Sequence, residues 1–224
     1  MNSTPAHRPH AERHSAPRLR VDNLCVDRGG RRVLPDLSFV LASGEALVVT
    51  GRNGVGKSTL LRALAGLLPH VGGKAALTGV ENGELPFHAH YLAHADGLKA
   101  ALTVHENLDF WARYLARKED NSDDLRARSP DEALEAVGLG HVAAAPVAIL
   151  SAGQKRRVAL ARMLVAFRPL WLLDEPLTAL DAASRTRVAG LMRDHCANGG
   201  MIVAATHEPL GLHDARELPL GGAA

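Results

Sequence analysis

Apolar and polar residues alternate near the start of the chain, and farther along the apolar residues gather into short, nearly unbroken runs. The alternation over residues 19–26 predicts a half-buried strand, and residues 33–41 predict a second strand after the turn at Gly29-Gly30. Continuous apolar runs are typical of strands buried on both faces of a parallel sheet. Three such runs cover residues 46–50, 170–173 and 201–206.

Two segments of the chain show the spacing of apolar residues that is typical of a helix. Residues 103–118 form an amphipathic pattern that opens with a capping signal, Thr103 followed three residues later by Glu106. Residues 57–68 carry a leucine stripe, which predicts a helix packed against the sheet. The stripe consists of Leu60, Leu61, Leu64, Leu67 and Leu68.

The remaining segments are shorter or more polar. Residues 130–137 predict a short helix, and a further helix is expected from Ser151 to about Phe167. Residues 72–86 are rich in turn formers and are expected to be peripheral, whereas the acidic residues 119–124 indicate a solvated connector.

The order of these elements predicts an α/β fold with a parallel central sheet. The helices between the first and second apolar runs indicate a helical insertion, which we place at about 95–168. We expect one domain over residues 19–222 and a disordered tail over residues 1–18, where Arg and His lie among Pro, Ala and Ser.

Composition narrows the classes of function. The formal net charge is only +2, which argues against nucleic acid as a partner. No stretch approaches 18 continuous apolar residues, so we do not expect the chain to span a membrane. Cys25 and Cys196 are far apart without metal-ligand spacing and are expected to be reduced thiols.

The loop after the first apolar run fits the pattern G-x-x-x-x-G-K-[ST] and precedes a predicted helix, as a phosphate-binding loop requires. Its glycines allow successive backbone N–H groups to face phosphate oxygens. We expect Lys57 to reach the β- and γ-phosphates of a nucleotide such as ATP, and the Ser58 hydroxyl to ligate Mg²⁺. The expected nucleotide-binding residues are Gly51, Arg52, Asn53, Gly54, Val55, Gly56, Lys57, Ser58 and Thr59.

A pair of carboxylates follows the second apolar run. Asp174 is expected to hold the Mg²⁺, and Glu175 to orient or deprotonate the attacking water. An acidic pair in this position could otherwise cap a helix. Its combination with a phosphate loop favours a nucleotide-hydrolysing site.

A third motif separates the chain from other phosphate-loop proteins. Leu150, Ser151, Ala152, Gly153 and Gln154, followed by a basic helix, resemble the signature of the ABC ATPases, with Ala152 where glycine is usual. The resemblance implies a RecA-like P-loop NTPase core with an N-terminal antiparallel β subdomain. It also implies a homodimer, in which the signature faces the ATP bound by the other subunit.

Two further positions match the same family. Ala179-Leu180-Asp181 resembles the D-loop at the dimer seam, and Thr206-His207 resembles the switch histidine that contacts the γ-phosphate. The resemblance therefore implies catalytic roles for Glu175, His207 and Lys57.

Two positions depart from the general pattern. Arg28 stands where an aromatic residue usually stacks on adenine, a role that a guanidinium plane can also fill. His94 stands where a glutamine usually approaches the Mg²⁺, so we include it among the candidate metal ligands.

These departures, with Glu106-Asn107-Leu108 and the short C-terminal segment, resemble the ATP-binding subunits of haem exporters in bacterial cytochrome c maturation. That resemblance implies small integral-membrane partners and a peripheral location on the cytoplasmic face of the inner membrane. Candidates for a groove that accepts a helix of the partner are Leu98, Leu102, Leu108, Phe110 and Trp111, although the two aromatic residues could equally belong to the core.

Three alternatives stay open. The chain could serve another ABC exporter, because the nucleotide site does not distinguish cargoes. A soluble ABC ATPase acting on DNA or ribosomes usually has a coiled-coil insertion or two motor units, neither of which is evident here. A small-molecule kinase would need a lid with catalytic arginines, and the signature helix argues against it.

Overall fold

The computed structural model describes residues 16–80, 84–116 and 126–221. Eight strands and five α-helices are found in these ranges. The strands are β1 (Arg18–Arg28), β2 (Arg31–Ala42), β3 (Ala46–Thr50), β4 (Gly72–Thr78), β5 (Ala89–Leu92), β6 (Leu170–Asp174), β7 (Met201–Ala205) and β8 (Arg216–Pro219). The helices are α1 (Lys57–Leu64), α2 (Val104–Leu115), α3 (Pro130–Ala136), α4 (Ala152–Ala161) and α5 (Ala182–Ala197).

A five-stranded parallel sheet in the order β5-β6-β7-β3-β8 forms the centre of the fold. Strands β6 and β7 are buried along their whole length, as their continuous apolar sequences predict. Successive side chains enter different clusters: Leu170 and Leu172 face the cluster that contains α1, whereas Trp171 and Leu173 face the cluster with α4 and α5. Helices therefore cover both faces of the sheet, and the predicted α/β class is confirmed.

A three-stranded antiparallel sheet, β2-β1-β4, lies beside this core. β1 and β2 occupy the two regions predicted as strands. β4 corrects the prediction of a peripheral, turn-rich segment: Leu77 is buried and pairs with Leu19 of β1. The close approach needs a glycine, since a Cβ on Gly73 would lie 2.1 Å from the Asn23 carbonyl oxygen.

The helices α2, α3 and α4 build a third apolar cluster around Leu108, Leu134 and Val158. α2, α3 and α4 all begin with reciprocal capping boxes, in which a Ser or Thr side chain accepts from a backbone N–H three residues later. The expected connector at 119–124 and most of the tail predicted over 1–18 lie outside the described residues. The end of that predicted tail is corrected, because Arg18 begins β1 and pairs with Ala42 of β2.

Two helices are shorter than predicted, and three elements were missed. α1 ends at Leu64 rather than residue 68, which leaves Leu67 65% exposed, and α4 ends at Ala161 rather than near Phe167. Helix α5 and the strands β5 and β8 were not predicted. Among the described residues, no helix is both long and apolar enough to cross a membrane.

Two histidines are buried, His90 on β5 and His195 on α5. Burial lowers the pKa of His90 to about 3, although its Nε2 lies 2.8 Å from the Ala166 carbonyl oxygen. Burial likewise lowers the pKa of His195 to about 4; its ring stacks on Trp171 and fills the space next to Gly200. Both rings are therefore neutral in the folded protein near pH 7.

We expect the free energy of unfolding to fall as the pH drops from 7 to 5. The unfolded histidines take up protons near pH 6.5, whereas the folded ones stay neutral until the pH approaches 4 or 3, so acid favours unfolding. Each histidine contributes a loss of about 2 kcal/mol over this interval. Urea titrations at both pH values measure it. His90→Gln should reduce the change in the free energy of unfolding between pH 7 and pH 5. The matched variant His70→Gln, at an exposed site, should leave that change as it is in the parent. A parent protein equally stable at both pH values would contradict the expectation.

Candidate functional site

The phosphate loop connects β3 to α1, where the predicted motif placed it. Gly51, Gly54 and Gly56 all have positive φ angles, so the loop turns in a way that other residues rarely adopt. Packing adds a second restriction: a Cβ on Gly56 would lie 2.9 Å from Val33 Cγ1, and one on Gly51 would lie 2.5 Å from the Leu220 carbonyl oxygen. The fold thus holds the loop backbone in one conformation at the carboxyl end of β3.

Lys57 lies folded back into this loop and is 8% exposed. Its Nζ donates to the carbonyl oxygens of Gly51 at 2.6 Å and Arg52 at 3.3 Å. The same Nζ lies 2.9 Å from His207 Nε2, which is also 2.9 Å from Asn53 Oδ1. The fold therefore brings together the lysine, the loop and the predicted switch histidine, as a site for a phosphate chain requires.

The hydroxyl of Ser58 and the carboxylate of Asp174 meet next to the loop, with Ser58 donating to Asp174 Oδ1 at 2.9 Å. Tyr91 on β5 lies beside this pair, and its hydroxyl interacts with the side chains of Arg62 and Asp174. Burial raises the pKa of Tyr91, so the hydroxyl stays protonated. Hydroxyl and carboxylate oxygens suit Mg²⁺, so Ser58 and Asp174 fit the metal ion that a nucleotide would bring.

Glu175 follows Asp174 immediately and turns the chain away from the sheet. It has a φ of 47° and its backbone N–H donates to the Ala205 carbonyl oxygen at 2.8 Å. The left-handed conformation is uncommon outside glycine and costs backbone strain. Glu175 thus stands at the carboxyl end of β6, one residue beyond the candidate metal ligand.

The signature residues lie at the start of α4, at a distance in sequence from the loop. Ser151 caps the helix: its hydroxyl accepts from the Gln154 N–H at 3.2 Å, and the Gln154 side chain accepts from the Ser151 N–H at 2.9 Å. Leu150 is buried, whereas Ser151 and Ala152 are exposed. The N-terminus of α4 borders a cavity of about 320 Å³, whose described lining residues come from the signature, α4, residues 179–181 and α5.

The predicted D-loop lies against this motif. A Cβ on Gly153 would come within 2.6 Å of the Ala179 carbonyl oxygen, so glycine is needed there. Asp181 caps α5, and hydrogen bonds from Ser184 lower the pKa of its carboxyl group. The structure thus shows a capping role for Asp181, and its proposed role at a dimer seam stays a prediction.

Arg28 and His94 are both exposed. Arg28 ends β1 opposite Arg31, in the hairpin whose second strand packs on Gly56 of the phosphate loop. His94 lies in the loop after β5, whereas the side chains found beside Asp174 are those of Ser58 and Tyr91. A role of His94 as a metal ligand stays a prediction.

Tyr91 is a site residue for which the sequence analysis gave no role. Its strand, β5, has only four residues, too few for a periodicity to be recognised. No local pattern in residues 87–93 singles Tyr91 out, because they contain no β-branched residue.

A family model described as "ABC transporter" matches residues 34–178. Among curated proteins, the chain is 54% identical over 202 residues to the "Cytochrome c biogenesis ATP-binding export protein CcmA" of Bradyrhizobium diazoefficiens, which covers 90% of this chain and 96% of the relative. A protein of the same name from Chelativorans sp. is 50% identical, covering 91% and 98%.

Solved structures agree in fold. A putative ABC transporter (ATP-binding protein) from Pyrococcus furiosus superposes with a TM-score of 0.74 at 23% identity, covering 91% of this chain and 97% of that one. An ATP-binding subunit of an ABC transporter superposes with a TM-score of 0.77 at 25% identity, covering 90% and 85%.

Proposed function

Since this chain belongs to the ABC transporter family, as an ABC-type ATPase, we propose that it powers a haem exporter needed for the maturation of c-type cytochromes. The observation that carries the proposal is the 54% identity, over 90% of the chain, to a relative named as a cytochrome c biogenesis export protein. The nucleotide site itself is common to ABC ATPases with other cargoes, so the identity of the membrane partner decides between them.

In this proposal the phosphates of ATP accept hydrogen bonds from the backbone N–H groups of the loop and lie at the N-terminus of α1. Lys57 leaves the carbonyl oxygens of Gly51 and Arg52 to bind the β- and γ-phosphates, and His207 contacts the γ-phosphate. Ser58 and Asp174 hold Mg²⁺, which neutralises part of the phosphate charge when bound. Glu175 then orients the attacking water and accepts its proton.

The second half of the site comes from another copy of the chain. The exposed signature at the α4 N-terminus offers backbone N–H groups and a positive helix end to an anion. We assign this anion as the γ-phosphate held by the partner's loop, so two ATP molecules would lie between two subunits. Supporting this, the described lining of the cavity at the signature includes none of the phosphate-loop residues of the same chain.

The coupling surface is proposed to include Leu98, Leu102, Phe110 and Trp111. Leu98 and Trp111 are partly buried against the helical cluster, whereas Phe110 is 48% exposed and stacks on Tyr114. The prediction that Leu108 lines the groove was wrong, because Leu108 is fully buried and packs α2 against the helical cluster. An exposed aromatic pair suits contact with a membrane subunit, which would place the chain at the cytoplasmic face of the inner membrane.

Purification from native membranes tests the choice of partner. We expect the tagged Glu175→Gln form, extracted in mild detergent with Mg-ATP, to retain small polytopic membrane proteins and cytochrome c maturation components. The tagged Lys57→Ala form is the matched control and should retain less, because it would bind ATP much more weakly. Recovery of another exporter's membrane subunit, or of DNA or ribosomes, would overturn the haem-exporter proposal and leave the ATPase assignment intact.

A further inference from the structure

Arg156, in the second turn of α4, has a side chain that is only 5% exposed. Its guanidinium donates to three consecutive carbonyl oxygens at the end of β6: Asp174 at 2.6 Å, Glu175 at 2.7 Å and Pro176 at 3.3 Å. The backbone that carries the proposed water-activating carboxylate is therefore held by one side chain of the signature helix.

These carbonyl groups need a partner because the sheet ends beside them. β5 pairs with β6 only as far as Leu92 and Leu173, after which the chain leaves the sheet. On the other side β7 still pairs, with Ala205 opposite Asp174. Buried carbonyl oxygens left without donors are costly, and Arg156 supplies the donors that a continued β5 would have supplied.

The other side of the same guanidinium holds the loop after β5. Nη1 of Arg156 donates to the Ala93 carbonyl oxygen at 2.7 Å and pairs with Asp96 Oδ1 at 3.1 Å, where the Asp96 side chain is 23% exposed. Arg162, the C-cap residue of α4, donates to the carbonyl oxygens of Tyr91 and Asp96 at 3.4 Å. The loop is thus fastened to α4 at several points, and only Arg156 of the two arginines also reaches Glu175.

We propose that Arg156 is a positioning residue: it fixes the backbone of Glu175 for water activation and links it to the loop at residues 93–97. A planar guanidinium has five donors in a fixed arrangement, so its contacts to the loop and to β6 constrain one another. Displacement of the loop, which lies next to the proposed coupling surface, then shifts the carboxylate through Asp96 and Arg156. The inference rests on the proposed role of Glu175.

Steady-state ATPase measurements on the detergent-purified complex with its membrane partners test this role. Arg156→Lys keeps the charge but not the fork, and we expect it to lower kcat about 10- to 100-fold with KM for ATP changed less than about threefold. Asp96→Asn should give a smaller loss of kcat. The double variant should be no slower than Arg156→Lys alone, because both changes break the same link.

Controls separate positioning from a general loss of structure. Arg193→Lys alters an exposed α5 arginine that donates to the Gly211 carbonyl oxygen, and it should keep the parent kcat. Thermal melting should show Asp96→Asn and Arg156→Lys folded at the assay temperature. Three results would overturn the role of Arg156: a kcat within about twofold of the parent, a loss explained by unfolding, or strictly additive effects of the two substitutions. If instead Glu175→Gln hydrolysed ATP at the parent rate, the assignment of Glu175 itself would fail.

Discussion

Replacing Glu175 by glutamine is expected to lower ATP turnover by at least about a hundredfold while leaving ATP affinity nearly unchanged. Glutamine has almost the same shape, so the backbone at φ 47° and the N–H bond to the Ala205 carbonyl oxygen should be kept. The amide cannot accept the proton of the attacking water, which removes general-base catalysis alone. Single-turnover hydrolysis and nucleotide titration measure the two quantities separately.

The same variant tests the proposed homodimer, because ATP that is bound but not hydrolysed should hold two subunits together. Light scattering with Mg-ATP should show a dimer of Glu175→Gln. Adding Ser151→Arg should abolish the dimer but keep nucleotide binding, since the bulky cation lies at the exposed start of α4. Glu217→Gln, an exposed position on β8, is the matched control and should hydrolyse ATP normally. Parent-level turnover by Glu175→Gln would show that Glu175 is not the base.

The residues around the phosphate loop were the easiest to place from the sequence, because Lys57 and Asp174 each follow a strand with a continuous apolar sequence. Residues 46–50 and 170–173 are apolar runs, and their parallel pairing through β7 brings Lys57 and Asp174 to one edge of the sheet. Short, local patterns therefore predicted where these residues lie, whereas their roles toward a nucleotide stay predictions.

Elements that depend on distant pairing were harder to predict. β4, β5 and β8 have seven, four and four residues, and their pairing partners β1, β6 and β3 are far away in sequence. Turn formers in residues 72–86 concealed β4, since glycine is needed there for close packing rather than for a turn alone. Local propensity was overridden by tertiary contact in each case.

Arg156 illustrates a second limit. In the sequence it is one of three adjacent basic residues on a helix, which indicates a solvated surface. In the fold it is buried, because β5 ends before the carbonyl groups of Asp174 and Glu175, and the Arg156 guanidinium donates to both. Such a role follows from where two strands stop pairing, which no periodicity in the sequence encodes.

Replacing Lys57 by alanine is expected to weaken ATP binding about a hundredfold, which corresponds to about 3 kcal/mol for charge-assisted bonds to phosphate. Lys57 Nζ is the cation that the fold holds inside the loop, by its bonds to the Gly51 and Arg52 carbonyl oxygens. Without it, His207 Nε2 keeps Asn53 as a partner, but the γ-phosphate would lose its main positive charge.

Titration of a fluorescent ATP analogue against the purified chain measures this loss, with thermal melting as the test of folding. Lys74→Ala is the matched control, because it removes an exposed lysine from β4, outside the nucleotide site. Its affinity should stay within about twofold of the parent, since a lone exposed charge has little effect on a distant site. An affinity of Lys57→Ala within about threefold of the parent would mean that backbone N–H groups and Mg²⁺ alone hold the phosphates, and the assignment of Lys57 would be wrong.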